Sequence, residues 1–226
     1  MSTTKTPISR VLRTKEQARK NYDRLSKFYD LLAGSSEKPF VEQGLKKLEL
    51  TPGEKVLEIG FGTGDAILSM ADSVGTSGEV FGIDISEGMF HVAQQRIDNA
   101  GIKKRVTLKL GDATWLPFES DLFDAIFMSF TLELFDTSDI LTVLHECKSV
   151  IKSNGRICVV ALAQKEDPGF ALNLYEWAHK HFPVLVDCRP IYTKELLIDA
   201  GFQVIDESEE IMWGLPVDII LAKEGD

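Results

Sequence analysis

Residues 56–65 constrain the fold of this chain more than any other part of the sequence. They read Val-Leu-Glu-Ile-Gly-Phe-Gly-Thr-Gly-Asp, a short apolar run that leads into three alternating glycines and then into a helical pattern. Glycine lets the backbone turn sharply and lets another group approach without meeting a Cβ atom. A glycine loop between a buried strand and a helix is typical of α/β folds in which a ligand binds outside the carboxyl ends of the strands.

The rest of the chain repeats this alternation of strand and helix. Strand patterns lie near 55–59, 79–84, 105–110, 122–128, 155–162, 202–212 and 217–222. Helical patterns lie near 63–73, 87–100, 138–151 and 193–200. This rhythm predicts an α/β fold with a mostly parallel sheet, and a length of 226 residues suits a single domain.

Two segments are not needed to build that sheet. Residues 1–32 are basic and carry apolar residues at about helical spacing, and residues 164–192 form a Pro-bounded, aromatic-containing insertion after the fifth strand. Because ligands bind at the carboxyl edge of such sheets, we expect both segments to cover the binding site. The predicted organisation is an N-terminal helical lid at 1–32 and a domain at 33–226 that carries a helical substrate cap at 164–192.

Composition excludes several classes of protein. Residues 157–163 are the longest uninterrupted apolar run, too short to cross a bilayer, and the N-terminus lacks the apolar segment of a signal peptide, so we expect a cytoplasmic protein. A net charge of -10 would repel a polyanion, which argues against nucleic acid as a partner. The three cysteines form no CxxC pair, so we predict neither disulfides nor a metal site.

Charge is distributed unevenly along the chain. Residues 1–27 contain eight basic and two acidic side chains, which gives +6 there and leaves -16 for the remainder. A basic amphipathic helix can lie in a membrane interface, and this is one reading of the segment. In the other reading the apolar stripe packs over the ligand and the basic face is solvated. The two readings are compatible.

Acidic residues stand at three successive strand ends. Glu58 lies two residues before the first glycine, Asp84 ends the second strand pattern, and Asp112 follows the third. Asp84 can hold a ribose diol through two charge-assisted hydrogen bonds, and Asp112 can accept a hydrogen bond from an adenine amino group.

The acids near the glycine loop also predict the charge of the ligand. Dinucleotide sites use a GxGxxG pattern with a pyrophosphate at the helix N-terminus, and Asp65 stands here where that pattern has its last glycine. Carboxylates at Asp65 and Glu58 would repel a pyrophosphate. They favour a ligand with positive charge, such as S-adenosylmethionine, which carries a sulfonium and an ammonium but no phosphate.

Three runs, at residues 58–64, 82–89 and 111–118, together resemble the class I S-adenosylmethionine-dependent methyltransferases. Within that class they are most similar to the branch of the ubiquinone and menaquinone biosynthesis C-methyltransferases (methyltransferase type 11 domain) and the related phospholipid N-methyltransferases. The resemblance covers roughly residues 20–162. It implies a Rossmann-like sheet of seven strands, the last antiparallel, with helices on both faces.

The same resemblance implies a set of cofactor-binding residues. They are Tyr22, Tyr29, Glu58, Gly60, Gly62, Gly64, Asp84, Ile85, Met89, Asp112 and Ala113. In this set Glu58 and the glycines surround the methionine part, Asp84 the ribose, and Asp112 the adenine. The two tyrosines resemble N-terminal aromatics that close over the cofactor.

Residues that act on the acceptor are less clearly marked. Methyl transfer is an in-line displacement that can gain its rate from orientation alone, so a catalytic base is optional. If a proton must be removed, the candidates are Glu133 after the fourth strand and His179 and Tyr192 in the insertion. Arg189 can clamp an anionic acceptor or form an ordinary surface ion pair.

The sequence therefore predicts an enzyme that transfers a methyl group from S-adenosylmethionine to a small or lipid-like acceptor and releases S-adenosylhomocysteine. A quinone precursor or a phospholipid headgroup is the favoured acceptor. One alternative is an NAD(P)-dependent oxidoreductase, which Asp65 and Glu58 disfavour. The other is a non-catalytic module that binds S-adenosylmethionine.

Overall fold

A computed structural model describes residue 11, residues 14–25 and 35–165, positions 169, 172, 174, 175 and 177 of the insertion, and residues 188–225. The strands are β1 Lys55–Ile59, β2 Glu79–Asp84, β3 Val106–Leu110, β4 Phe123–Ser129, β5 Ile151–Leu162, β6 Phe202–Met212 and β7 Leu215–Glu224. The helices are α1 Lys15–Leu25, α2 Ser35–Leu48, α3 Asp65–Val74, α4 Glu87–Ala100, α5 Thr137–Val150 and α6 Thr193–Asp199, with a 3-10 turn at Leu132–Leu134.

The seven strands form one sheet in the order β3-β2-β1-β4-β5-β7-β6. Strands β1 to β5 pair in parallel, and β7 is antiparallel to both of its neighbours. The predicted fold class, with the last strand antiparallel, is confirmed. The strand order reverses between β1 and β4, and ligands bind at such a switch point because the connections on its two sides diverge.

Neighbouring residues along each central strand pack on opposite sides of the sheet. Val56 and Phe127 belong to a core under α2, α3 and α4, whereas Leu57 and Ile126 belong to a core under α5 and α6. Parallel strands that are covered on both faces are apolar on both faces. The sheet is therefore rigid beneath the loops at its carboxyl edge.

Helix α2 was not among the predicted helices. Two residues that usually interrupt helices, Pro39 and Gly44, lie inside it. Gly44 is needed for packing, because a Cβ atom there would lie 2.7 Å from Val160 and 2.9 Å from the ring of Phe127. The residue that weakens the helical pattern is thus the one that lets α2 lie flat on β4 and β5.

Strand β5 also begins four residues earlier than the sequence pattern predicts, at Ile151. Its register against β4 shifts between the pairs Phe123–Ile151 and Ala125–Arg156, so the strand is irregular between these two pairs. In the described part of the chain, no helix has the length and apolar character needed to cross a membrane.

Candidate active site

A cavity of about 170 Å³ opens at the switch point, where β1, β2, β3 and β4 end. Eight of the eleven predicted cofactor residues line it: Tyr22, Gly60, Gly62, Asp84, Ile85, Met89, Asp112 and Ala113. Glu58 and Gly64 are not on its wall, and Tyr29 lies outside the described residues. Residues from four strand ends and from helix α1 therefore meet around one space.

The three loop glycines all have positive φ, with values of 74° at Gly60, 50° at Gly62 and 88° at Gly64. A Cβ atom on Gly60 would lie 2.3 Å from the Thr131 hydroxyl, and one on Gly64 would lie 3.0 Å from Ala93 of α4. A Cβ atom on Gly62 would meet nothing within 4 Å. Gly60 and Gly64 thus allow close packing of the loop, while Gly62 leaves open space at the cavity.

Asp84 at the end of β2 both shapes the loop and faces the cavity. One carboxylate oxygen accepts a hydrogen bond from the amide of Gly62 at 2.9 Å, and the other accepts one from the amide of Ser86 at 2.8 Å. Burial raises the pKa of Asp84 to about 6 although these bonds lower it. The carboxylate is held in place, yet its negative charge is poorly compensated.

Glu58 lies behind the glycine loop and is only 2% exposed. Its Oε2 atom is buried without a hydrogen-bond partner. Burial first, and then the charges of Asp84 and Asp65, raise the pKa of Glu58 well above its ordinary range. The raised pKa means that Glu58 holds a proton more readily than an exposed glutamate does, so Asp84 is the main source of negative charge beside the glycine loop, and this charge suits the positively charged ligand that the sequence predicts.

The geometry corrects the argument made from Asp65. This side chain is 68% exposed, pairs with Arg96 of α4, and is not on the cavity wall. Its charge is therefore partly neutralised and directed away from the ligand. The acid beside the loop that lines the cavity is Asp84 instead.

Helix α1 covers the cavity and is fastened to the loops around it. Lys15 Nζ lies 2.6 Å from a carboxylate oxygen of Asp112. At the other end of the helix, Asp23 accepts hydrogen bonds from the Ser86 hydroxyl at 2.7 Å and from the amide of Gly88 at 3.0 Å. These contacts hold α1 against the loops that follow β2 and β3.

The contact with Lys15 changes the state of Asp112. Burial alone would raise the pKa of Asp112, but hydrogen bonds from Lys15 and Thr114 outweigh it and hold the pKa below its ordinary value. Lys15 also lies 3.4 Å from Asp139 of α5. Asp112, the predicted partner of the adenine, is thus ionised and already in contact with α1.

A further part of the cavity wall comes from the segment after β4. Ser129, Phe130, Thr131, Leu134 and Phe135 line it, and α1 adds further apolar surface. Sequence reasoning singled out only Glu133 in this segment. That residue is fully buried and accepts a hydrogen bond from the amide of Leu162 at 3.2 Å. Its side chain does not line the cavity.

The remaining candidates lie elsewhere. Tyr192 lines a second cavity of about 490 Å³ between α6, β6 and β7, and His179 lies outside the described residues. Arg189 is fully buried and donates a hydrogen bond to the carbonyl oxygen of Phe135 at 2.6 Å. Because Arg189 is buried, it is not an ordinary surface residue, and its hydrogen bond to Phe135 supports the cavity wall from behind.

The amino-acid sequence matches the profile of the ubiE/COQ5 methyltransferase family over residues 4–188. The chain belongs to this family. The family predicted from the three sequence runs is thereby confirmed, and S-adenosylmethionine is the cofactor that this membership implies.

Two curated relatives are demethylmenaquinone methyltransferases. The one from Bacillus subtilis (strain 168) is 32% identical over 155 residues, which cover 69% of this chain and 64% of the relative. The one from Bacillus pumilus (strain SAFR-032) is 32% identical over 160 residues, which cover 71% of this chain and 66% of the relative. The chain thus matches just under two thirds of the length of each.

Solved structures show the same fold. The [4+2]-cyclase SpnF superposes with a TM-score of 0.75 at 17% identity, covering 97% of this chain and 99% of the cyclase. A SAM-dependent methyltransferase from Aquifex aeolicus superposes with a TM-score of 0.64 at 23% identity, covering 90% of this chain and 97% of the other. Since one of these proteins is a cyclase, the fold alone does not specify the reaction.

Proposed function

We propose that this protein transfers the methyl group of S-adenosylmethionine to a neutral, ring-containing small molecule, with a quinone precursor as the favoured acceptor. The observation that carries the proposal is that the cavity at the switch point has two unlike halves. One half is built from the strand-end acids and the glycine loop, and the other is built from apolar residues after β4. Family membership and the demethylmenaquinone methyltransferase relatives agree with it.

The first half suits the cofactor. When bound, S-adenosylmethionine supplies an electrophilic methyl group on a positively charged sulfur. Asp84 would accept hydrogen bonds from the ribose, Asp112 would accept one from the adenine amino group, and Gly62 leaves room for the chain of the methionine part. The ionised carboxylate of Asp84 beside the loop favours a positively charged ligand over a pyrophosphate.

The second half suits an uncharged acceptor. Among the described residues on the cavity wall, four are acids, namely Asp84, Asp112, Asp136 and Asp139. Lys15 is the only described cation there, and it is paired with two of them. A phosphate or carboxylate on the acceptor would be repelled, so we favour a quinone precursor over a phospholipid headgroup.

The chain's own contribution to the rate is orientation. An in-line displacement needs its two reacting atoms held close and aligned, and effective concentrations from such positioning are large. The lid α1 and the rigid ends of β1 and β4 provide this, and the lid also keeps water from the reacting atoms. No side chain on the described wall has to be assigned as a base for this mechanism.

We also propose that residues 1–32 act as a lid and that contact with a membrane surface is secondary. In α1, Lys15 is paired with Asp112, and Arg19 and Lys20 are both paired with Glu16. These cations are therefore partly neutralised before any lipid is met. Co-sedimentation with vesicles of anionic phospholipid at 0.05 and 0.5 M salt tests this proposal. We expect little binding to the vesicles, and strong binding would show that membrane contact is a main role of the segment.

The cofactor half is tested by calorimetric titration with S-adenosylhomocysteine. We expect binding by the wild type, a loss of at least about tenfold in Asp84→Ala from the two charge-assisted hydrogen bonds, and no binding of NADH. Asp65→Ala is the matched control, because it removes an acid from the same loop that faces away from the cavity. Its affinity should stay within about twofold of the wild type. NADH binding, or equal losses in both variants, would contradict the proposal.

The transfer itself is tested with labelled S-adenosylmethionine and a panel of acceptors. Transfer of label to a reduced naphthoquinone, and none to phosphatidylethanolamine, is the expected result. If the cofactor product binds but no acceptor is labelled, the non-catalytic binding module becomes the better interpretation.

A further inference from the structure

Phe130 is an aromatic residue in a backbone conformation that favours glycine. It follows directly after β4 with φ of 48°, in the left-handed region. Its amide donates a hydrogen bond to the carbonyl oxygen of Val160 at 2.8 Å, which fixes this conformation to the end of β5. The side chain is 5% exposed, and the residue lines the cavity.

The ring of Phe130 is held from behind by helix α2. It meets the ring of Phe40 edge to face, with centroids 6.4 Å apart and planes at 87°. The next residue, Thr131, lies against Gly60, so that a single Cβ atom there would overlap with its hydroxyl. Phe130 therefore lies at the junction between the glycine loop and the apolar wall, where the two halves of the cavity meet.

Glycine would adopt this φ without strain. Strained residues persist when the surrounding structure holds the strained conformation in place, and they cluster at ligand-binding sites. Packing against Phe40 accounts for the buried side of the ring. It does not explain why the same residue also lines the cavity, next to the glycine loop.

We propose that Phe130 is a specificity-determining residue whose ring contacts the acceptor and selects a planar, unsaturated ring over a saturated one. This inference rests on the proposed function, since it assumes that the wall after β4 receives the acceptor. Aromatic pairs gain stabilisation from ring geometry beyond the area that they bury. A flat acceptor ring thus benefits from Phe130 in a way that a puckered ring of equal size does not.

The test measures binding, so that it does not depend on turnover. The protein is saturated with S-adenosylhomocysteine and titrated with 1,4-naphthoquinone and with 1-decalone, a saturated bicyclic ketone of similar size. For the wild type we expect naphthoquinone to bind more tightly. In Phe130→Leu the ratio of the two dissociation constants should fall roughly three- to tenfold, while the affinity for S-adenosylhomocysteine stays within about twofold.

Phe40→Leu is the matched control, because it removes the other ring of the same edge-to-face pair without changing the cavity wall. It should lower thermal stability and leave the ratio unchanged. Phe130→Gly relieves the backbone strain and should lose the preference as Phe130→Leu does. An equal change in Phe40→Leu and Phe130→Leu would reduce Phe130 to a core residue and overturn the inference.

The two proposals fail in different ways. If S-adenosylhomocysteine does not bind the wild type, the proposed function fails. If it binds but the wild type shows no preference for naphthoquinone, or Phe130→Leu keeps that preference, the inference about Phe130 fails while the cofactor site stands.

Discussion

Lowering the pH should stabilise the unliganded protein and weaken its binding of S-adenosylhomocysteine, and Asp84 is the common cause. Burial raises the pKa of this carboxyl from 3.8 to about 6 in the folded chain. A raised pKa means that the folded state binds the proton more tightly than the unfolded state does. The free energy of unfolding therefore increases as the pH falls through 6, and the gain is complete below about pH 4.

The size of the effect follows from the two pKa values. Between pH 8 and pH 5, a shift from 3.8 to about 6 changes the free energy of unfolding by about 1.4 kcal/mol. Binding changes in the opposite direction, because the ribose hydroxyls need an ionised acceptor. At pH 5 about ten of every eleven unliganded molecules carry the proton, so the dissociation constant should rise about tenfold.

Urea unfolding and calorimetric titration at pH 8 and pH 5 measure the two quantities. Burial also raises the pKa of Asp218 to about 6 and that of Glu58 well above its ordinary range, so these acids add to the pH dependence of stability. The contribution of Asp84 is isolated by comparison with Asp84→Asn. This variant can accept only one of the two backbone hydrogen bonds and should be less stable overall, but its pH dependence should be smaller by about 1.4 kcal/mol. An affinity that is the same at both pH values, or an unchanged pH dependence in Asp84→Asn, would refute the reasoning.

Two substitutions test the structure around the cavity. Gly60→Ala combines positive φ with overlap at Thr131, so it should lower the free energy of unfolding by about 3 kcal/mol or more and abolish binding of S-adenosylhomocysteine. Gly101→Ala is the control at similar φ but in open space, and it should lower the free energy of unfolding by only about 1–2 kcal/mol and leave binding intact. Urea unfolding and calorimetric titration compare the two variants. Arg189→Met leaves the Phe135 carbonyl oxygen without its hydrogen-bond donor, so it should lower the free energy of unfolding by about 1–3 kcal/mol. It should also raise the KM for the acceptor more than the KM for the cofactor. Arg189→Lys should recover part of both effects. A variant Arg189→Met that is as stable as the wild type would show that the buried hydrogen bond is dispensable.

The fold could be predicted because its signals are local. Strand patterns in the sequence located all seven strands, and strands β1, β2 and β6 have the predicted bounds. Helix α2 was missed because Pro39 and Gly44 break its pattern. The reason for Gly44 is its contact with Val160, more than a hundred residues away, and no local pattern encodes such a contact.

The same distinction between local signals and long-range contacts applies to the residues of the candidate site. The cofactor residues follow strands directly, so their positions at the carboxyl edge could be inferred from the sequence. The ion pair of Lys15 with Asp112 spans 97 positions, and the burial of Arg189 behind Phe135 depends on how the insertion returns to the sheet. For Phe130 a signal existed, an apolar strand end at the carboxyl edge where the ligand was expected, but its left-handed backbone is set by the hydrogen bond to β5.

Because Asp65 lies outside the cavity wall, another acid near the glycine loop must account for the selectivity for a positively charged ligand. Asp65 is paired with Arg96 at the surface, so it cannot be what excludes a pyrophosphate. Asp84 lines the cavity, and burial raises its pKa to about 6, so its ionised form is destabilised in the empty site. A bound cation relieves this destabilisation, and a bound anion worsens it. Glu58, whose pKa lies well above its ordinary range, holds a proton more readily and adds less charge. The ionised carboxylate of Asp84 is therefore the group that favours a positively charged cofactor over a pyrophosphate.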